Sequence, residues 1–284
     1  MVRNYLNAYV ANSVTGNVSV IGLTNNTIWK TIGVGSYPEG IAISSSNVYV
    51  ANDNSNDVSV IGLTNNTVWK TITVGSHPEG IAISSSNVYV ANSGSNNVSV
   101  IGLVNNTVWK TITVGSNLGG IAISSSNIYV VSNVVSVIGL TNNTVWKTIT
   151  VGKDPVNIAI SSSNVYVVNI GANDVSVIGL TNNTVWKTIS VGPSPTNIAI
   201  SSSNAYVTND NSSTVSVIGL TNNTVWKTIS VGSGPHGIAI SSSNVYVANA
   251  GFNEVADTVS VIGLTNNTVW KTITVGRTCK YCHI

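Results

Sequence analysis

Charge is scarce in this 284-residue chain. Asp, Glu, Lys and Arg make up 7% of it, and eleven basic residues against nine acidic ones leave a formal net charge of +2. A soluble domain usually carries about 25% charged residues. No basic stripe able to neutralise several phosphates is present, which argues against a nucleic-acid partner. Long apolar runs are also missing: nothing approaches the roughly 18 residues of a membrane-spanning helix, so no transmembrane segment is expected. The first residues, MVRNYLNAYVAN, contain no apolar h-region, so no signal peptide is read within this sequence. Disorder is excluded from the other side, because Val and Ile recur throughout and 43% of the residues are hydrophobic. Cysteine occurs only twice, at Cys279 and Cys282.

What is present is a repeat. Tryptophan occurs seven times, at Trp29, Trp69, Trp109, Trp146, Trp186, Trp226 and Trp270, with spacings of 40, 40, 37, 40, 40 and 44 residues. The unit between Gly80 and Gly115 divides at its turn signals into IAIS, NVYVAN, NVSVIGL and TVWKTITV, termed strands a to d. Each segment is short and rich in β-branched and aromatic residues, and Ser-Ser-Ser-Asn, Asn-Asn and Gly-Ser-x-Pro clusters separate them. Four such strands joined by tight turns make an antiparallel meander, and a period near 40 residues matches a propeller blade. The expected fold is therefore all-β: one domain over residues 1–284, a seven-bladed β-propeller of four-stranded antiparallel blades.

At YVAN (49–52, 89–92 and 246–249), YVVN (166–169) and YVTN (206–209), the chain resembles the YVTN-repeat propellers known from archaeal surface-layer proteins. The resemblance spans nearly the whole chain and implies the fold and a place at the cell surface. It implies no activity, because related propellers include binding modules and enzymes alike.

Ring closure is a separate question. Met1-Val2-Arg3 falls in register where blade one needs its IAI segment, while Cys282-His283-Ile284 aligns with Ile41-Ala42-Ile43. Residues 276–284 are thus expected either to supply a closing strand, in competition with the N-terminus, or to begin a haem-bearing segment.

Comparison of the copies separates two faces. The a–b turn is Ser-Ser-Ser-Asn in all six full copies and the c–d turn is Asn-Asn-Thr in all seven. At the opposite end of the meander, the b–c turns vary in length and the d–a crossovers read SYPE, SHPE, SNLG, KDPV, PSPT, SGPH and RTCKY. Binding residues gather on loops held by a rigid scaffold, so function maps to the variable face. Its candidates are Tyr37, Glu39, Glu79, Asp154, Asn157 and Asn197.

Three uniform features invite structural readings. Each Trp is expected to pack between blades, with a sugar platform as the alternative reading. The adjacent Lys is expected to guard the outer edge against strand pairing. Asn-Asn-Thr fits a tight turn, and also creates sequons at Asn25, Asn65, Asn105, Asn142, Asn182, Asn222 and Asn266, with further sequons at Asn17, Asn97 and Asn211.

The C-terminal Cys279-Lys280-Tyr281-Cys282-His283 has the spacing of a c-type haem attachment site, in which both thiols add to haem vinyl groups and the His becomes an axial ligand. His77 and His236, the remaining histidines, are candidates for the distal ligand. The same residues admit a zinc site or a plain latch strand. The leading functional expectation is a non-enzymatic propeller outside the cell, an interaction or envelope scaffold meeting a protein or glycan, with no cofactor. The alternatives are a haem c electron carrier and, from similar lyases and lactonases, an enzyme using His77, Glu79 and His236. No Gly-x-Ser-x-Gly, His-Glu-x-x-His or phosphate loop supports catalysis.

Overall fold

The computed structural model describes residues 7–251 and 258–275. It is a ring of seven antiparallel sheets. Blade two shows the pattern, with strand a at Pro38–Ile43, strand b at Asn47–Asn52, strand c at Asp57–Gly62 and strand d at Thr67–Thr73, hydrogen-bonded in that order. Blade one contributes Asn7–Asn12, Asn17–Gly22 and Thr27–Gly33, equivalent to strands b, c and d. Both segments considered for its inner strand, Met1-Val2-Arg3 and 276–284, lie outside the described residues. Apart from strands, the described residues form one 3₁₀ turn, Asp210–Ser212, and none of their helices is long and apolar enough to cross a membrane.

The core is divided among the junctions between blades. In strand b of blade two, Val48, Tyr49, Val50 and Ala51 are all fully buried, because a neighbouring blade covers each face of the sheet. Tyr49, Ala51, Val58 and Val60 pack on Val88, Val90 and Ile101 of blade three. Val48, Val50 and Ile61 face the other way, onto Tyr9, Val18 and Val20 of blade one. The same arrangement closes the circle, where Tyr246, Val259 and Val261 of blade seven meet Val10 and Ile21 of blade one. Continuous apolar strands are the expected result of burial on both faces.

Polar bolts cross the same junctions. The Tyr49 hydroxyl donates to Asn106 Oδ1 at 2.7 Å, and Tyr246 donates to Asn26 Oδ1 at 2.6 Å across the closure. The accepting Asn is the second of each Asn-Asn pair, held at positive φ in the c–d turn (Asn106, 54°), a conformation Asn tolerates better than most residues. On the outer strand, Lys30 Nζ donates to the Asn65 carbonyl at 3.0 Å, and Lys271 reaches Asn25 at 2.8 Å to repeat the contact at the closure. The expectation that this lysine guards a free edge is therefore incomplete: its ammonium is tied to the next blade.

The Asn that ends each YVxN segment works within its own blade. Asn52 Nδ2 donates to Asp57 Oδ1 at 2.6 Å and to Ser59 Oγ at 2.9 Å, clipping strand b to strand c beneath their turn. The preceding Val-Gly needs its glycine, since a Cβ on Gly75 would come within 2.8 Å of the Asn92 side chain.

Tryptophan does not behave as expected. All seven are 47–54% exposed, and the buried aromatics among the described residues are seven tyrosines. The cause is a β-bulge. In blade two Val60 pairs with Lys70 and Ile61 with Val68, which leaves Trp69 as the extra residue. A bulge redirects its side chain, and here the indole lies on the rim. Trp69 Nε1 donates to Asn47 Oδ1 in the a–b turn at 3.0 Å, and the same bond recurs in every blade.

One seam is different. The Tyr89 hydroxyl makes no bond to Asn143, whose Oδ1 is buried without a partner among the described residues. Replacing Tyr166, whose hydroxyl donates to Asn223 at 2.6 Å, with Phe leaves a buried acceptor unpaired and should cost about 1–3 kcal/mol. Tyr89→Phe should be nearly neutral. Calorimetric melting of both variants tests the assignment, and equal losses would contradict it.

Candidate functional site

The variable face surrounds a cavity of about 500 Å³ at the mouth of the central channel. Its wall is built by the first residues of the inner strands. Five of the six described inner strands open with a proline, and a register shift follows: in blade two Pro38 pairs with Asn52 but Ile41 with Val50. Blade four has Leu118 in place of the proline, and its strand a starts at Ile121. In blade five the residue skipped by the shift is Val156, and in blade six it is Thr196. The equivalent positions are Glu39, Glu79, Gly119, Val156, Thr196 and His236, and all six line the cavity. One structural position, repeated around the ring, thus sets the chemistry of the opening.

Two adjacent copies of that position are acidic. Glu39 is 7% exposed. Its burial, followed by the nearby Glu79 and Asp53 carboxylates, pushes its pKa up to about 9. Burial also raises the Glu79 carboxyl, an effect opposed by Ser93 and His77. Glu39 therefore holds a proton at neutral pH that an exposed carboxylate would release, and Glu79 is shifted in the same direction. Across the opening, Thr196 Oγ1 lies 2.9 Å from Thr208 Oγ1, and the Thr208 hydroxyl donates to the His236 carbonyl at 3.0 Å. The threonine of YVTN thus ties blade six to blade seven beside the cavity.

Of the residues selected from sequence, Glu39, Glu79, Asp154, Asn157 and His236 come together in this wall. Tyr37, His77 and Asn197 are not among its lining residues. Tyr37 and His77 occupy equivalent crossover positions at φ of 57° and 51°, and their carbonyls accept the Asp53 and Ser93 N–H groups at 2.8 Å. His77 Nδ1 stands 3.2 Å from Asp53 Oδ1 on the exposed rim. Asn197 is buried, and its Oδ1 accepts the Ile198 N–H at 2.8 Å. Cys279, Cys282 and His283 lie outside the described residues. Among the described residues no group of three His, Cys, Asp or Glu side chains is placed to hold a metal ion.

Sequence reading missed Leu118, Gly119, Gly120 and Thr196. The last positions of the crossovers SYPE, SNLG and PSPT already place Gly119 and Thr196 in register with Glu39, which is the signal that finds them. Gly119 and Gly120 add space in place of a side chain. What the wall can do chemically is donate and accept protons, form hydrogen bonds and hold a positively charged group, since no Lys or Arg is among its described lining residues.

The raised Glu39 pKa makes a signed prediction. Its stabilising protonation is complete below the unfolded pKa near 4.5 and is lost as pH rises toward about 9. At pH 7 the carboxyl costs about 3 kcal/mol relative to acid conditions. Glu39→Gln should therefore stabilise the protein at pH 7 and flatten the decline in melting temperature between pH 5 and pH 9; an unchanged profile would refute the assignment.

No protein-family model matches the chain, and no curated protein matches it. Solved structures do. A functionally unknown protein from Desulfotomaculum acetoxidans is similar at 18% identity, covering 94% of each chain with a TM-score of 0.81. AztD from Citrobacter koseri is similar at 11% identity over 97% of this chain and 96% of its own, with a TM-score of 0.75. The dihydro-heme d1 dehydrogenase NirN is similar at 12% identity over 95% of this chain and 73% of its own, with a TM-score of 0.71. At these identities the likeness is one of fold, and the fold it supports is the seven-bladed propeller.

Proposed function

We propose that this chain is a non-enzymatic propeller of the YVTN-repeat group, displayed outside the cell, that engages a protein or glycan through its variable face. One observation carries the reading: the positions that differ among near-identical blades surround a single mouth, while the opposite face repeats one a–b turn six times and one c–d turn seven times. A rigid ring with one individual face is suited to presenting a binding surface. The cavity suits a protruding group of the partner, and the Glu39 and Glu79 carboxyls favour a basic or hydrogen-bonding one.

A second reading, electron transfer by haem c, is favoured by the Cys279-Lys280-Tyr281-Cys282-His283 spacing. His236 in the cavity wall and His77 on the rim stand as its distal candidates. An enzymatic reading rests on the likeness to lyases and lactonases and on His77, Glu79 and His236, of which Glu79 and His236 are in the cavity wall and His77 is on the rim. It draws also on the raised carboxyl pKa values, which structural sites show as well.

Near-identity of the blades makes the test clean. A variant in which Glu39 and Glu79 are both replaced by Thr, the residue at the same position in blade six, should keep its melting temperature within a few degrees or raise it. Its sedimentation with isolated cell envelopes should fall at least tenfold below that of the unaltered protein, and equal sedimentation would overturn the proposal. For protein exported in a host with haem-attachment machinery, the leading reading expects no visible absorption and an unmodified mass. A Soret band with one haem added would establish the second reading instead.

A further inference from the structure

The Asn-Asn-Thr turns of the uniform face are only partly explained by folding. The first Asn of each pair accepts the N–H of the Thr two residues on, as in Thr67 N–H to Asn65 Oδ1 at 3.2 Å, and the second sits at positive φ beneath the turn. Both asparagines therefore have structural roles. The threonine does not: Thr27, Thr67, Thr107, Thr144, Thr184, Thr224 and Thr268 are all exposed. It is nevertheless Thr in every copy, and with the first Asn it completes Asn-x-Thr.

Exposure separates these sequons from those at Asn17 and Asn97, while Asn211 is exposed but its Nδ2 donates to Ser194 Oγ at 2.7 Å. Asn25, Asn65, Asn105, Asn142, Asn182, Asn222 and Asn266 are exposed along with their threonines. In the sequons at Asn17 and Asn97 the hydroxyl belongs to Ser19 and Ser99, which are 3% and 2% exposed. The two asparagines are themselves clipped, since Asn12 and Asn92 donate to their Oδ1 atoms at 2.7 and 2.8 Å. An aromatic surface lies beside each exposed site. A Cβ placed on Gly62 would lie 2.9 Å from Asn65 Oδ1 and 3.6 Å from Trp69 Cδ1, so amide and indole converge over that glycine. The Trp69 ring is oriented by its bond to Asn47, leaving a fixed apolar plane against which a sugar can pack.

We infer that the uniform face is an N-glycosylation face, with the seven turn asparagines as acceptors and the neighbouring indole supporting the first sugar. The inference rests on the extracellular reading only for access to a donor, a lipid-linked oligosaccharide phosphate. In the transfer the anomeric carbon–oxygen bond to the donor phosphate breaks and a carbon–nitrogen bond to Asn Nδ2 forms. The phosphate leaves with the bond's electron pair, and one amide proton passes to the transferase base.

The test is incubation of the purified, folded protein with an Asn-x-Thr oligosaccharyltransferase and its lipid-linked donor, read by intact mass and peptide mapping. An acceptor peptide in the same reaction serves as control, so the outcome does not depend on where the chain resides in the cell. The expected result is up to seven additions at the turn asparagines, with Asn17 and Asn97 unmodified. Thr67→Val should remove one addition while leaving the melting temperature unchanged. Unmodified protein beside a modified control peptide would overturn the inference, as would equal occupancy of Asn17 and Asn97.

Discussion

Burial of strands b and c on both faces by neighbouring blades is the constraint on which the molecule depends. A single blade has two apolar faces and nothing of its own to cover them. Tyr49 and Ala51 need blade three, and Val48 and Val50 need blade one. The requirement passes from blade to blade until it returns to its origin, where Tyr246 and Val261 meet Val10 and Ile21. Stability is therefore a property of junctions, as in other repeat proteins, with the difference that a ring leaves no terminal repeat exposed. The Tyr–Asn and Lys–carbonyl bonds add direction to this packing, since each joins a blade to the next one in the same rotational sense.

That arrangement frees one end of the blades. Because junction packing uses the middle of the strands and the bolts use the c–d turns, it is the b–c turns and crossovers at the other end that vary without cost to the core. At one end the turns remained uniform, and at the other they diverged around the cavity. The inner-strand bulge converts a change of one residue per blade into a change of chemistry at the opening, giving Glu, Gly, Val, Thr or His on an otherwise constant backbone. Blade four shows how far this tolerance extends. Its b–c turn is shortened to Ser132 and Asn133, yet its strands Asn127–Val131 and Val135–Gly139 keep the common register.

The fold was legible because period and alternation are repeated: seven tryptophans count the blades, and four apolar segments per unit count the strands. The division into two faces followed from comparing the copies. Trp69 and its equivalents were misread because a bulge is a matter of hydrogen-bond register, and alternation alone cannot show that Val68 and Lys70 pair with successive residues. The role of Lys70 was hidden for a related reason, as its acceptor, the Asn105 carbonyl, lies 35 positions away. In the cavity, Glu39, Glu79 and His236 stood out as uncommon residue types in a charge-poor chain. Gly119, Gly120 and Thr196 carry no such mark and acquire meaning only from their place in the ring.

The missing bond between Tyr89 and Asn143 has a consequence for how the ring holds together. A closed ring under thermal fluctuation parts first at its weakest joint, and six of the seven joints carry a tyrosine bolt that this one lacks. The joint between blades three and four also borders the cavity, with Glu79 and Gly80 on one side and Leu118 and Gly119 on the other. The bolt positions lie in the c–d turns, at the end of the blades away from the cavity, so at that end this joint rests on apolar packing and the Lys110 contact alone, which makes it the seam where the circle would be opened with least loss.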